Sequence, residues 1–194
     1  MIRISSGLLR SISLRSPTGN QTRPSSERLR QGTFNVLRHF REVSVVDGKL
    51  IIDLFAGTGA WGIEALSNGA REVWFVEAHK LAQSTLEENV NKAIQSFKSQ
   101  HLEPPVTQIV RQDVSVSYKK LPVADVIFCD PPYESGWFEK VMRLEQTQSR
   151  LAANGLFLYE AEVDEPIPQD IAPLKLFDTK IYGDSAVHFF VKEA

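Results

Sequence analysis

The chain has 194 residues, a formal net charge of −2 and a single cysteine, enough for one domain with a full core and a short appendage, and not a disulfide scaffold. Cys129 alone excludes an intrachain disulfide or a cysteine zinc cluster, and His39, His79, His101 and His188 lack ligand spacing. No apolar run approaches the ~18 residues of a membrane span, so no metal, no membrane and a reducing cytoplasm are expected. Charge is unevenly distributed: residues 1–41 hold eight arginines, no lysine and one acid, a net of +7 that leaves −9 for residues 42–194. That asymmetry predicts a basic N-terminal extension facing a polyanion and an acidic catalytic body over 42–194.

Residues 1–14 alternate weakly among Arg and Ser around Gly7, the pattern of a short ribbon. A turn-rich linker over residues 16–21 leads to Thr22-Arg23-Pro24, a helix start with a hydroxyl cap and Pro in the first turn. Leu29, Thr33, Val36, Leu37 and Phe40 at helical spacing carry that helix to about Phe40, with Gly32 inside it costing about 1 kcal/mol relative to Ala. The apolar run Leu50 to Phe55 breaks into Ala56-Gly57-Thr58-Gly59 and resumes as a helix to Asn68-Gly69. A strand over 72–76, a helix over 80–97, a strand over 106–111 and a strand over 123–129 follow. A helix over 137–152 and strands over 156–159, 174–182 and 186–192 complete the chain. Strand and helix alternate and two strands close the edge. The order predicts an α/β fold: a doubly wound, mostly parallel, seven-stranded Rossmann-like sheet ending in an antiparallel hairpin.

The stretch around Gly57 and Gly59 is the centre of this plan. Glycines there can take positive φ and let a ligand lie on the backbone, while the following helix points free N–H groups at the turn. Glu77, about twenty residues beyond the loop at the end of the next strand, suits ribose hydroxyls. Gly57, Gly59 and Gly62 also satisfy the dinucleotide pattern, so the loop alone leaves the nucleoside open. Asp53 and the Phe55 to Gly59 loop resemble motif I of S-adenosylmethionine-dependent methyltransferases, and an acid just before the loop favours a ligand ammonium over a pyrophosphate.

Asp130-Pro131-Pro132-Tyr133 follows the fourth strand. A carboxylate and a proline carbonyl can together accept both hydrogens of an exocyclic amine, turning its lone pair out of conjugation and towards an electrophile. Tyr133 offers a face for an extruded base. The tetrapeptide resembles motif IV of amino-methyltransferases that act on adenine, cytosine or guanine.

Thr22-Arg23-Pro24, Phe34-Asn35-Val36-Leu37, Asp53 to Gly59, Gly62 to Ser67 with Gly69-Ala70, and Asp130 to Tyr133 together resemble the RsmD family over nearly the whole chain. The resemblance implies methylation of the N2 amine of a guanine in 16S rRNA of the small ribosomal subunit; a monomer is expected. It also implies site residues. Asp53, Phe55, Ala56, Gly57, Thr58 and Gly59 would hold the methionine part of S-adenosylmethionine, Glu77 its ribose, Asp113 and Val114 its adenine. Thr22 and Arg23 would close over the methionine end. Asp130, Pro131, Pro132 and Tyr133 would carry the target amine, and Arg3, Arg10, Arg23, Arg28 and Arg30 would face RNA. The chain departs from the family at its N-terminal glycines, where only Gly7 remains, at Gln31-Gly32, where an acid is usual, and at Trp61, where an aliphatic is usual. Trp61 either packs in the core or lines the target pocket. Two competing activities stay open: an amino-methyltransferase of DNA or another RNA, and a nicotinamide oxidoreductase or dinucleotide-binding module.

Overall fold

The computed structural model describes residues 2–16, 27–40, 44–132 and 136–193. The expected helix start at residues 22–26, with Thr22 and Arg23, lies outside them, as does Tyr133. In chain order the elements are β1 (Ile2–Arg3), β2 (Ser13–Leu14), α1 (Glu27–His39), β3 (Leu50–Leu54), α2 (Ala60–Ser67), β4 (Glu72–Val76), α3 (Lys80–Ser99) and β5 (Val106–Val110). There follow α4 (Val114–Ser117), β6 (Ala124–Cys129), α5 (Trp137–Gln148), β7 (Leu151–Glu162), β8 (Asp170–Ile171), β9 (Leu174–Tyr182) and β10 (Ser185–Lys192).

Among the described residues the main sheet runs β5-β4-β3-β6-β7-β10-β9-β8. Its first five strands are parallel and the last three antiparallel. It therefore holds eight strands rather than the expected seven, because the two-residue β8 pairs with β9. β3 is buried along its whole length, as suits a central strand covered on both faces. One core, on the side of α1, α2 and α3, gathers Ile51, Val73, Phe75, Phe128 and Leu158. The other, under α4 and α5, gathers Ile52, Leu54, Ile127, Cys129 and Phe157. Residues alternate between these cores along each strand, which is what the two-residue side-chain period requires.

Two boundaries differ from the sequence reading for a backbone reason. The helix expected to reach about Ala152 stops at Gln148, where Ser149 turns left-handed at φ 48°. Leu151 then opens a strand that runs to Glu162, well beyond the expected Leu156–Tyr159.

The N-terminal ribbon is packed into the molecule. β1 and β2 pair antiparallel, and Ile2, Ile4, Leu9 and Leu14 enter the core beside α2. Glu64 of α2 is completely buried and is the anchor. Its carboxylate accepts from the Ser5 N–H at 2.9 Å, the Ser6 N–H at 2.8 Å, the Ser5 hydroxyl at 2.7 Å and Arg30 Nε at 3.1 Å. The ribbon also bonds to Ser67 at the other end of α2, through Leu8 N–H to the Ser67 carbonyl at 2.8 Å and Leu9 N–H to Ser67 Oγ at 2.8 Å. Every residue of α2 is buried as a result.

Gly32, which looks like a local cost in the sequence, has a packing role. A Cβ there would lie 2.0 Å from the Tyr182 hydroxyl and 2.4 Å from its ring carbon Cζ, because α1 crosses β9 at this point. Gly32→Ala is expected to lower the thermal midpoint despite alanine's helix preference. In a Tyr182→Ala background the same change should instead stabilise, by about 1 kcal/mol. Thermal denaturation of the four proteins of this cycle checks the sign reversal.

Candidate functional site

The strand order reverses between β3 and β6, and in an open α/β sheet the crevice at that point, beyond the carboxyl ends of the strands, receives the ligand. Leu54 pairs with Cys129, so the glycine loop and Asp130-Pro131-Pro132 leave the sheet side by side. The sequence features most charged with chemistry are thus brought together by register.

On the β3 side, Gly59 sits at φ 76° immediately before α2, and its N–H donates to the Ala56 carbonyl at 2.7 Å. Gly57 is also left-handed, at φ 54°, and among the described residues no side chain other than those of its chain neighbours lies within 4 Å of the place its Cβ would occupy. Phe55 adopts φ 58° without the freedom of glycine, a local strain of the kind that functional turns retain. Gly62 serves packing, since a Cβ on it would meet the Phe75 ring at 2.2 Å. The helix therefore rests directly on β4.

Asp53 is nearly inaccessible, and its Oδ2 accepts from the Gly62 N–H at 2.9 Å. Burial, with the nearby charges of Asp130 and Glu77 and against the Gly62 hydrogen bond, pushes Asp53 up to about 8. Glu77, also buried, is held by two backbone donors: Gly57 N–H to Oε2 at 2.8 Å and His79 N–H to Oε1 at 2.6 Å. Asp113 caps α4, its Oδ1 accepting from Ser115 N at 2.8 Å, and Val114 is buried in the core below. Asp53, Glu77 and Asp130 thus lie close enough to repel one another across the crevice.

Beyond Asp130 the crevice continues into a cleft of about 340 Å³. Pro131, Pro132, Trp137, Tyr159, Glu160 and Glu165 are among the residues that line it. Trp137 meets Phe55 edge to face at a centroid distance of 4.8 Å, which joins the cleft to the glycine loop. Burial, together with Glu139 and Glu162, raises Glu165, and the Tyr159 hydroxyl opposes that shift by hydrogen bonding to it.

The remaining expected residues divide. Arg3, Arg10 and Arg28 are exposed, as a polyanion contact needs. Arg30 is not available for RNA. It is fully buried, with Nε on Glu64 at 3.1 Å and Nη2 donating to the Arg3 carbonyl at 2.5 Å, so its charge is used inside the fold. Trp61 packs in the core: its ring stacks on Phe128 at 4.3 Å with an interplanar angle of 2° and lies 4.9 Å from Phe34. Sequence reasoning missed Glu160 and Trp137. An acid directly after the apolar run Leu156-Phe157-Leu158-Tyr159 repeats the way Asp130 follows Val126 to Cys129, and that repetition was the available signal.

Among the described residues, no group of three or more His, Cys, Asp or Glu side chains is arranged to hold a metal ion, and no helix is long and apolar enough to cross a membrane.

Comparison with known proteins places these features in context. The family described as Conserved hypothetical protein 95 matches residues 2–191. Ribosomal RNA small subunit methyltransferase D of Escherichia coli K12 is 29% identical over 194 residues, covering 100% of this chain and 91% of that protein. The Bacillus subtilis protein YlbH, named as an rRNA methyltransferase, is 27% identical over 195 residues, covering 98% and 99%. The solved structure of yhhF from Escherichia coli, named as a methyltransferase, superposes with a TM-score of 0.80 at 28% identity, covering 100% of this chain and 98% of that one.

Proposed function

The chain belongs to the RsmD family, the one described as Conserved hypothetical protein 95, and from that premise we propose that it transfers a methyl group from S-adenosylmethionine to the N2 amine of a guanine in 16S rRNA of the small subunit. The observation that carries this reading is the register that brings the glycine loop after Leu54 and the Asp130-Pro131-Pro132 turn after Cys129 out of the sheet side by side, with Asp53 and Glu77 at the same crevice. Acidic side chains around the loop disfavour a pyrophosphate, which weighs against a dinucleotide cofactor. The names of the relatives in E. coli and B. subtilis support an rRNA acceptor.

S-adenosylmethionine supplies the electrophilic methyl group. The chain's own residues do the rest by placement. Asp53 and the loop from Phe55 to Gly59 face the amino-acid part, and Glu77, fixed by two backbone N–H groups, keeps a carboxylate aimed at the ribose. Asp113 and Val114 border the adenine, and Thr22 and Arg23 close over the methionine end. Asp130 accepts from the target amine with Pro131 and Pro132 shaping the turn, and Tyr133 stacks on the base. Orientation of this kind removes entropy from the barrier without a covalent intermediate. With the cofactor bound, the amine would take the methyl group from its sulfonium sulfur, and Asp130, which holds an amine hydrogen, would be placed to receive the proton released or pass it to water. Arg3, Arg10 and Arg28 hold RNA phosphates; Arg30 has no part in that contact.

The test is transfer of labelled methyl to small ribosomal subunits from cells lacking the activity, to naked rRNA and to duplex DNA. Label recovered as N2-methylguanine from subunits supports the proposal. Label in DNA adenine, or dinucleotide binding without transfer, overturns it.

Asp53 also makes the cofactor's affinity depend on pH. Below about 8 its carboxyl is protonated in the free protein, while a bound cation favours the anion, so binding releases a proton. Affinity should therefore rise as pH rises from about 6 to 7.5, by up to about tenfold per unit. Equilibrium binding of S-adenosylmethionine across that window should show the slope, and Asp53→Asn should flatten it. An equal slope in the variant would assign the dependence to another group.

A further inference from the structure

We propose that Glu160 is the residue that selects guanine, by accepting the hydrogen of ring nitrogen N1 while Asp130 accepts from the adjacent amine. This rests on the methyl-transfer reading above and deepens it.

The placement comes from register. Cys129 of β6 pairs with Tyr159 of β7 in parallel, so Asp130 and Glu160 are the next residues on neighbouring strands. Strand alternation directs both to the same face, that of Phe128 and Leu158, while Cys129 and Tyr159 face the other core. Adjacent strands lie ~4.8 Å apart, a spread over which two carboxylates can take the neighbouring N–H groups of one base edge. Glu160 is only 4% exposed yet borders the cleft with Pro131, Pro132 and Trp137. Its backbone is fixed on one side by strand pairing, to Val187 of β10. A carboxylate on a paired strand is a rigid reader, unlike one on a loop.

The chemistry then discriminates. In guanine the atom beside the amine-bearing carbon that faces the Watson–Crick edge is N1, which carries a hydrogen. In adenine and cytosine the corresponding ring nitrogen carries a lone pair. A second carboxylate next to Asp130 is attractive to the first and repulsive to the other two. A site built around such a donor rejects the analogue lacking it far more strongly than an apolar pocket rejects a misshapen one. Glu139, Glu162 and Glu165 keep the cleft negative, so phosphate stays outside and the neutral base enters.

The test uses the full-length protein and the guanine that the wild-type protein methylates, mapped by mass spectrometry of digested RNA. Small subunits are reconstituted with either guanine or 2-aminopurine at that nucleotide. 2-Aminopurine keeps the amine and has a lone pair at N1. The wild-type protein should methylate the 2-aminopurine subunit about 10- to 100-fold more slowly in kcat/KM. Glu160→Gln offers an amide N–H that suits that lone pair, so it should lower guanine transfer and move the 2-aminopurine-to-guanine ratio upward by a similar factor. Cofactor affinity should stay near that of the wild type. A structural role for Glu160 would lower both acceptors equally, and an unchanged ratio overturns the proposal. Should Glu160→Gln not fold, the wild-type comparison stands by itself: equal rates on both subunits overturn the proposal. No N2-methylguanine from the wild type on natural subunits defeats the parent reading, and guanine transfer with an unchanged ratio defeats only this one.

Discussion

Asp130→Ala is expected to lower methyl transfer to small subunits about 100-fold or more, because a target amine displaced by about 1 Å loses that much. Cofactor affinity should change by less than about threefold, the signature of an interaction made with the acceptor in the transition state. Asp130 leaves the sheet one residue after Cys129, beside the glycine loop and not within it, so the change is made on the acceptor side of the crevice. Asp130→Asn, which keeps one carbonyl acceptor in place, should fall between the two. Single-turnover transfer and equilibrium binding of S-adenosylmethionine, measured on the same preparations, separate the alternatives. A parallel fall of affinity and transfer would move Asp130 from the acceptor to the cofactor.

Arg30→Met is expected to reduce stability by about 3–5 kcal/mol, the usual consequence of stranding one member of a buried ion pair. Both partners are completely buried. Loss of Arg30 leaves the Glu64 carboxylate with Ser5 and Ser6 as donors, and it also frees the Arg3 carbonyl that Nη2 holds. Urea denaturation checks the magnitude, and an unchanged slope with a lower midpoint would show that the loss is in stability. Arg28→Met, on the exposed side of the same helix, should leave the midpoint within about 0.5 kcal/mol. The contrast separates two arginines that look alike in the sequence.

Those two residues show where sequence reasoning stops. The strand, glycine turn and helix around Asp53 to Leu66 were legible because their causes are local: an apolar run of strand length, glycines where φ must be positive, and a helical run after them. The pairing of that loop with Asp130 was legible too, since alternation of strands and helices fixes which strand ends meet. Arg30 was misread because its partner lies 34 positions away on another helix, and nothing in a charge count says which arginines face inward. Gly32 was read as a helix cost because Tyr182, which requires it, is 150 residues further on. The end of α5 was misplaced because the left-handed Ser149 carries no glycine signal. Glu160 escaped notice because the strand was ended at Tyr159, one residue short of its chemistry.

The seating of the N-terminal ribbon on α2 has a practical meaning for anyone seeking the role of the arginines. With the ribbon in place, an eight-residue helix containing Trp61, Ile63 and Leu66 is sealed from solvent on every side. Deleting the ribbon would bare that helix, and an exposed apolar patch of this kind promotes aggregation. A truncated protein that failed to bind RNA would therefore report insolubility and not the loss of a contact. Substitutions at the side chains of Arg3 and Arg10, which are exposed while the backbone between them holds the seal, change the charge and leave the helix covered.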